Sequence, residues 1–185
     1  MMPLSARRER IYLTGFMGSG KSTIGPILAN TIAYDFVDLD RTIEVSEGKT
    51  VREIFRERGE AYFRQLERDL VTGLAARTRI VVSLGGGTLV DPACLQTVIT
   101  TGILVYLKLS PEQLFHRLHR RSDRPLLTDE EGNKLTEDGL RHRILELFRM
   151  REPIYSRADI TIEADEQRVG KTVDRIVRCL SPHIE

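Results

Sequence analysis

Gly15-Phe16-Met17-Gly18-Ser19-Gly20-Lys21-Ser22 matches the pattern G-x-x-x-x-G-K-[ST], and what flanks it decides the fold. Ahead of it, Ile11-Tyr12-Leu13-Thr14 is a short β-favouring run; behind it, Ile24, Ile27, Leu28 and Ile32 recur at helical spacing and predict a helix over residues 21–33. Between a strand and a helix, such a loop curls its backbone N–H groups around phosphate oxygens, with the positive end of the helix dipole behind them. Gly15, Gly18, Ser19 and Gly20 form the cradle and Lys21 supplies a point charge to the β- and γ-phosphates. The Ser22 hydroxyl is a candidate Mg²⁺ ligand, and Thr23 a support for the α-phosphate. Alone, the motif points only to nucleotide binding, because GTPases, ATPase motors and small-molecule kinases share it.

Working outward, β-branched and aliphatic runs predict further strands at Phe36-Val37-Asp38-Leu39, at residues 80–84, at residues 103–107 and at residues 158–162, with helical segments between them. Such alternation indicates a parallel sheet covered on both faces, a three-layer α/β fold in one domain. Its core is expected over about residues 10–40, 79–119 and 156–182. Residues 41–78 read as a charged helical insertion over the C-terminal edge of the sheet, and residues 120–136 as a lid. Helix returns over residues 138–151.

Three further groups bear on chemistry. Asp38 and Asp40, read as alternate positions at the end of the second strand, project to the same side. They are either site carboxylates, one near Mg²⁺ and one accepting a proton from an attacking hydroxyl, or acids that end a strand and cap a helix starting near Thr42. Gly85-Gly86-Gly87 is either a flexible turn or a place where a ligand approaches bare backbone. Arg64, Arg117, Arg120, Arg121, Arg124 and Arg151 are each ordinary as surface residues, yet guanidinium groups also grip carboxylates and steady transferring phosphoryl groups. His116 and His119 lack a third ligand, so no metal site is expected there.

Composition narrows the function classes. Lysine and arginine (28) nearly cancel aspartate and glutamate (27), so the net charge of +1 offers no field for nucleic acid. No apolar run approaches the ~18 residues of a membrane span. Cys94 and Cys179 are too few for a disulfide framework and read as reduced thiols. Residues 1–10 are basic without an apolar signal segment, which leads to the expectation of a cytoplasmic protein.

Taken together, residues 15–25, Phe36-Val37-Asp38-Leu39-Asp40, Gly59-Glu60-Ala61-Tyr62-Phe63-Arg64, Leu84-Gly85-Gly86-Gly87, Arg124-Pro125-Leu126-Leu127 and Arg151-Glu152-Pro153-Ile154-Tyr155 resemble the shikimate kinase family, in family order, from about Ile11 to Ile162. That resemblance implies a P-loop kinase fold of the nucleoside-monophosphate-kinase type, with a five-stranded parallel sheet, a substrate-binding insertion and a lid. It implies Mg·ATP as phosphoryl donor and the 3-hydroxyl of shikimate as acceptor, on the route to chorismate and the aromatic amino acids, in a monomer. It assigns Asp40 to the reacting hydroxyl and Asp38 to the neighbourhood of Mg²⁺. Arg64 and Arg151 fall to the shikimate carboxylate, Gly85, Gly86 and Gly87 to the ring substituents, Arg124 and Lys21 to the transferring phosphoryl group, and Arg120 and Arg168 to the two sides of the adenine. Two departures stand out: residues 128–139 are longer and more polar than the usual connection, and Arg157 stands where acids are common. The competing readings are another small-molecule kinase of the gluconate or nucleotide type, and a nucleotide-binding relative without activity.

Overall fold

The computed structural model describes residues 9–119, 127, 133, 135–164 and 169–184. Five parallel strands, β1 (Arg10–Thr14), β2 (Asp35–Asp38), β3 (Ile80–Ser83), β4 (Ile103–Lys108) and β5 (Ile160–Glu163), lie in the order β2-β3-β1-β4-β5. Leu13 and Thr14, the last residues of the central strand, register with Ser83 and Tyr106. Parallel neighbours need crossovers. They are made by α1 (Lys21–Thr31), α2 (Leu39–Glu47), α3 (Val51–Leu74), α4 (Pro92–Thr101), α5 (Pro111–Leu118) and α6 (Glu137–Tyr155), and α7 (Val169–Leu180) follows the last strand.

The three layers follow from the period of two along each strand. Ile11 and Leu13, with Val81 and Val105, face Ile24 and Leu28 of α1 and Val173 and Ile176 of α7. Tyr12, with Val82 and Leu104, faces the other way, onto Val71 and Leu74 of α3 and Leu95 and Val98 of α4. β1 is buried at every position, which is why its middle, Ile11-Tyr12-Leu13, reads as a continuous apolar run rather than an alternating one. Phe16 and Tyr106 sit in a separate cluster with Leu114 and Phe115 of α5 and Ile144 and Leu147 of α6. The insertion has a small core of its own, built on Ile43, Ile54 and Phe63.

Element boundaries differ from expectation where polar groups intervene. The second strand stops at Asp38, and Leu39 is the first residue of α2, buried completely. Asp38 is the N-cap: its Oδ1 accepts the Arg41 N–H at 3.2 Å, which starts the helix three residues before Thr42. The fifth strand begins at Ile160, because Asp159 turns its carboxylate onto the Leu104 N–H (2.9 Å) and Ala158 closes a turn on the Tyr155 carbonyl (3.0 Å). The first helix ends at Thr31 and Ala33 takes a positive φ of 56°. The last long helix runs on through Pro153 to Tyr155. The lid expected at residues 120–136 falls almost entirely outside the described residues; of that stretch Leu127 is buried in the cluster around Phe16 and Tyr106. No helix among the described residues is long and apolar enough to cross a membrane.

Candidate active site

β1 delivers the chain into the glycine loop and α1 takes it out. Gly15 has φ 140° and lies so close to its surroundings that a Cβ there would stand 2.6 Å from the Leu107 carbonyl oxygen and 2.9 Å from Ser19 Oγ. Gly20 caps α1 in the left-handed region (φ 100°, ψ 10°), a conformation that costs glycine little. α2, α3, α4, α5 and α6 each begin with a side chain accepting a backbone N–H, from Asp38, Thr50, Asp91, Ser110 and Thr136. α1 begins with no side-chain cap and no acid in its first turn. A helix start in that condition suits an anion. Lys21, 8 % exposed, donates to the carbonyls of Gly15 (2.8 Å) and Phe16 (3.1 Å), which holds its ammonium over the loop.

The loop opens into a cavity of about 390 Å³ lined by Gly18, Ser19, Gly20, Lys21, Ser22 and Thr23, and on its far wall by Asp38, Asp40, Gly86 and Arg117. A second, narrower cavity of about 50 Å³ is lined by Val51, Phe55, Phe63, Arg64, Glu67, Gly85, Gly86, Gly87 and Arg151. Met17, Asp40 and Gly86 line both. The structure therefore brings Asp40, Arg64, Arg151 and the glycine turn into one recess beside the phosphate loop. Asp38 and Asp40 both reach the first cavity, Asp38 as a helix cap and Asp40 from the first turn of α2 rather than from alternate strand positions.

The second cavity is held by charges. Arg64 Nε and Nη2 donate to Glu60 Oε1 (3.1 and 2.8 Å), and Nη1 donates to Glu67 Oε2. That uses three of the five guanidinium N–H groups. Glu67 is 1 % exposed and takes a second bond on Oε1 from the Thr88 hydroxyl. Burial pushes its carboxyl above the ordinary range and the charge of Asp40 adds to this, while Arg64 and Thr88 pull the other way. The same side chains crowd two of the three consecutive glycines. A Cβ at Gly85 would meet Glu67 Oε1, Asp40 Oδ1 and Thr88 Oγ1 at 2.7, 2.8 and 2.9 Å, and one at Gly87 would meet Arg64 Nη2 at 2.5 Å. Arg151, 6 % exposed, donates from Nη1 to the Gly86 carbonyl at 3.2 Å, and Tyr155 donates its hydroxyl to the same oxygen.

Arg120, Arg124 and Arg168 lie outside the described residues. Arg117 lies inside them: its Nη1 donates to the Gly18 carbonyl at 3.1 Å and its side chain lines the larger cavity. The sequence offered Arg117 only as one of six candidate arginines, and gave no role to Glu67, Thr88 or Tyr155. The spacing of Arg64 and Glu67, three apart on one helix, was the available signal for Glu67, but Glu60 stands four before Arg64 and reads equally well. His116 and His119 engage their own helix, His116 Nε2 with Glu112 (3.3 Å) and His119 Nδ1 with the Phe115 carbonyl (3.2 Å). Cys94 is buried and Cys179 exposed, both free thiols.

For a divalent cation, the first cavity presents the Ser22 hydroxyl and the Asp38 carboxylate, with the Thr23 hydroxyl and the Asp40 carboxylate also in its lining. Among the described residues no cluster of three His, Cys, Asp or Glu side chains exists to hold a metal. A donor set this sparse fits Mg²⁺, which keeps several waters and takes phosphate oxygens as further ligands.

The shikimate kinase family model matches residues 17–181 of the chain. The shikimate kinase of Prosthecochloris aestuarii is 49 % identical over 174 residues, 94 % of this chain and 88 % of that protein. Among solved structures, the shikimate kinase of Acinetobacter baumannii in complex with shikimate has a TM-score of 0.85 at 31 % identity, covering 99 % of this chain and 100 % of that one. A gluconokinase from Sinorhizobium meliloti superposes with a TM-score of 0.54 at 20 % identity, over 95 % and 93 % of the two chains, and shares the fold alone. With residues 17–22 of its phosphate loop, its glycine turn and the two arginines of the smaller cavity inside the matched span, the chain belongs to the shikimate kinase family.

Proposed function

We propose that the chain transfers the γ-phosphoryl group of Mg·ATP to the 3-hydroxyl of shikimate. The observation that supports this reading most directly is that Asp40 lines both cavities, the one behind the phosphate loop and the one flanked by Arg64 and Arg151. Phosphoryl transfer needs little covalent chemistry from a protein, so positioning and charge stabilisation supply most of the rate. The N-terminus of α1 and the Lys21 ammonium hold the triphosphate. Ser22 and Asp38 hold Mg²⁺, which neutralises charge on the β- and γ-phosphates when bound. Arg151 and the two unused N–H groups of Arg64 receive the acceptor's carboxylate. Glu60, more than half exposed, releases Arg64 at little cost, since an exposed ion pair is worth about 0–1 kcal/mol. Asp40 then orients the hydroxyl and accepts its proton as the oxygen attacks phosphorus. Arg117 lines the nucleotide side, and Arg124 is assigned to the transferring phosphoryl group from the family pattern.

A coupled ADP-release assay with shikimate tests the proposal, and absence of shikimate-dependent turnover overturns it. Asp40→Asn is expected to lower kcat by about 10²–10⁴-fold, the usual worth of a positioned general base. Arg64→Ala and Arg151→Ala are expected to raise the shikimate KM with smaller effects on kcat. Equal turnover of gluconate in the same assay would move the reading to an acidic-sugar kinase.

A further inference from the structure

We propose that Tyr155 is a positioning residue for the acceptor acid, acting through the Gly86 carbonyl on Arg151 and Arg64; this rests on the function proposed above. Arg151 and Tyr155 stand one turn apart on α6, so a single helical face presents a guanidinium and a phenol to one backbone oxygen. A carbonyl oxygen has two lone pairs. Here Arg151 and Tyr155 occupy both.

Three consecutive glycines have no side chains to restrict their backbone. Bonds to the carbonyl must therefore supply the rigidity that side chains supply elsewhere. Tyr155 is suited to it: the ring is 1 % exposed and packs on Tyr106 with centroids 5.3 Å apart. Burial pushes the phenol up to about 12, so at neutral pH it stays a donor. Because a peptide unit is planar, fixing the Gly86 carbonyl also fixes the amide that leads into Gly87. Gly87 is the residue on which the Arg64 guanidinium lies. One phenolic bond thus steadies Arg151 through a shared acceptor and Arg64 through the peptide it rests on. Tyr155 lines neither cavity, so it positions groups that touch the acceptor without touching it.

The test is Tyr155→Phe, which removes the hydroxyl and keeps the ring. The shikimate KM is expected to rise about tenfold, equivalent to about 1.4 kcal/mol, with kcat and the ATP KM within about twofold of wild type, and the penalty is expected to shrink when shikimate methyl ester replaces the acid. Tyr106→Phe is the packing control, since the Tyr106 hydroxyl has no hydrogen bond among the described residues. An unchanged shikimate KM in Tyr155→Phe, an equal penalty on acid and ester, or the same rise in Tyr106→Phe overturns the assignment. Wild type without shikimate-dependent turnover overturns the function itself and this inference with it. Should Tyr155→Phe not fold, 3,5-difluorotyrosine at 155 provides a second measurement. The groups facing the phenol are Arg151 on its own helix, Arg64 of α3 and the Tyr106 phenol of β4. As the fluorinated phenol ionises it stops donating and repels the carbonyl, so its shikimate KM is expected to climb several-fold at alkaline pH where wild type stays flat. Flat profiles in both overturn the proposal.

Discussion

Glu67 is one charged residue among many on a helical stretch, and only its surroundings distinguish it. Buried beside Asp40, it bridges Arg64 and Thr88, so truncating it frees a guanidinium that lines the smaller cavity, the one proposed to take the acceptor. Glu67→Gln is expected to raise the shikimate KM by about tenfold or more, in keeping with a lost charge-assisted hydrogen bond, as steady-state kinetics will read. It should also change the pH dependence of stability. In wild type the carboxyl ionises at a higher pH folded than unfolded. Between those two values the native state holds a proton that the unfolded chain has released, and stability falls as pH rises. The glutamine variant lacks that slope. Thermal melts at successive pH values above the ordinary glutamate range of about 4.3 should therefore show the melting temperature of the variant gaining on wild type; parallel curves would remove Glu67 as a titrating group.

Among the elements, α3 is a helix broken on purpose by backbone geometry. Gly59 takes φ 82° and ψ 169° inside it, a region nearly restricted to glycine, and so divides the wall of the smaller cavity. Val51 and Phe55 come from the part before the kink, Phe63, Arg64 and Glu67 from the part after it. A Cβ at Gly59 meets nothing within 4 Å, so Gly59→Ala isolates the backbone term. It is expected to cost about 1–3 kcal/mol in denaturant unfolding and to raise the shikimate KM while the ATP KM holds. An equally weakened ATP KM would mean the kink does not serve the acceptor side alone. This kink was not legible beforehand, because Gly59 sits in a charged helical pattern on both sides and an isolated glycine there is ordinarily tolerated. The boundary at Asp38 escaped for a similar reason: Leu39 is apolar and follows a strand, and only the capping bond from Arg41 shows that the helix has already begun.

Across the whole molecule, stability is distributed unevenly. The insertion closes on three buried side chains, Ile43, Ile54 and Phe63, whereas the layer between the sheet and α1 and α7 closes on thirteen. Local opening free energies follow such burial. Amide hydrogen exchange is expected to be faster over residues 39–58 than in β1 and β4, and slower in that segment once shikimate and an unreactive ATP analogue are bound; uniform protection would contradict the division. The phosphate loop and the buried central strands could be read directly from the chain, since neighbouring residues there share one element and their spacing is their geometry. The arginines recognised by family pattern, Arg64 and Arg151, come from α3 and α6 and share a cavity only because the sheet order brings those helices to the same edge. Which acids pair with Arg64, which side chains crowd Gly85 and Gly87, and what the Tyr155 hydroxyl holds were decided by the tertiary structure alone. The physical reason is that burial and hydrogen-bond pairing are properties of contacts between distant segments, and no local period in the chain encodes them.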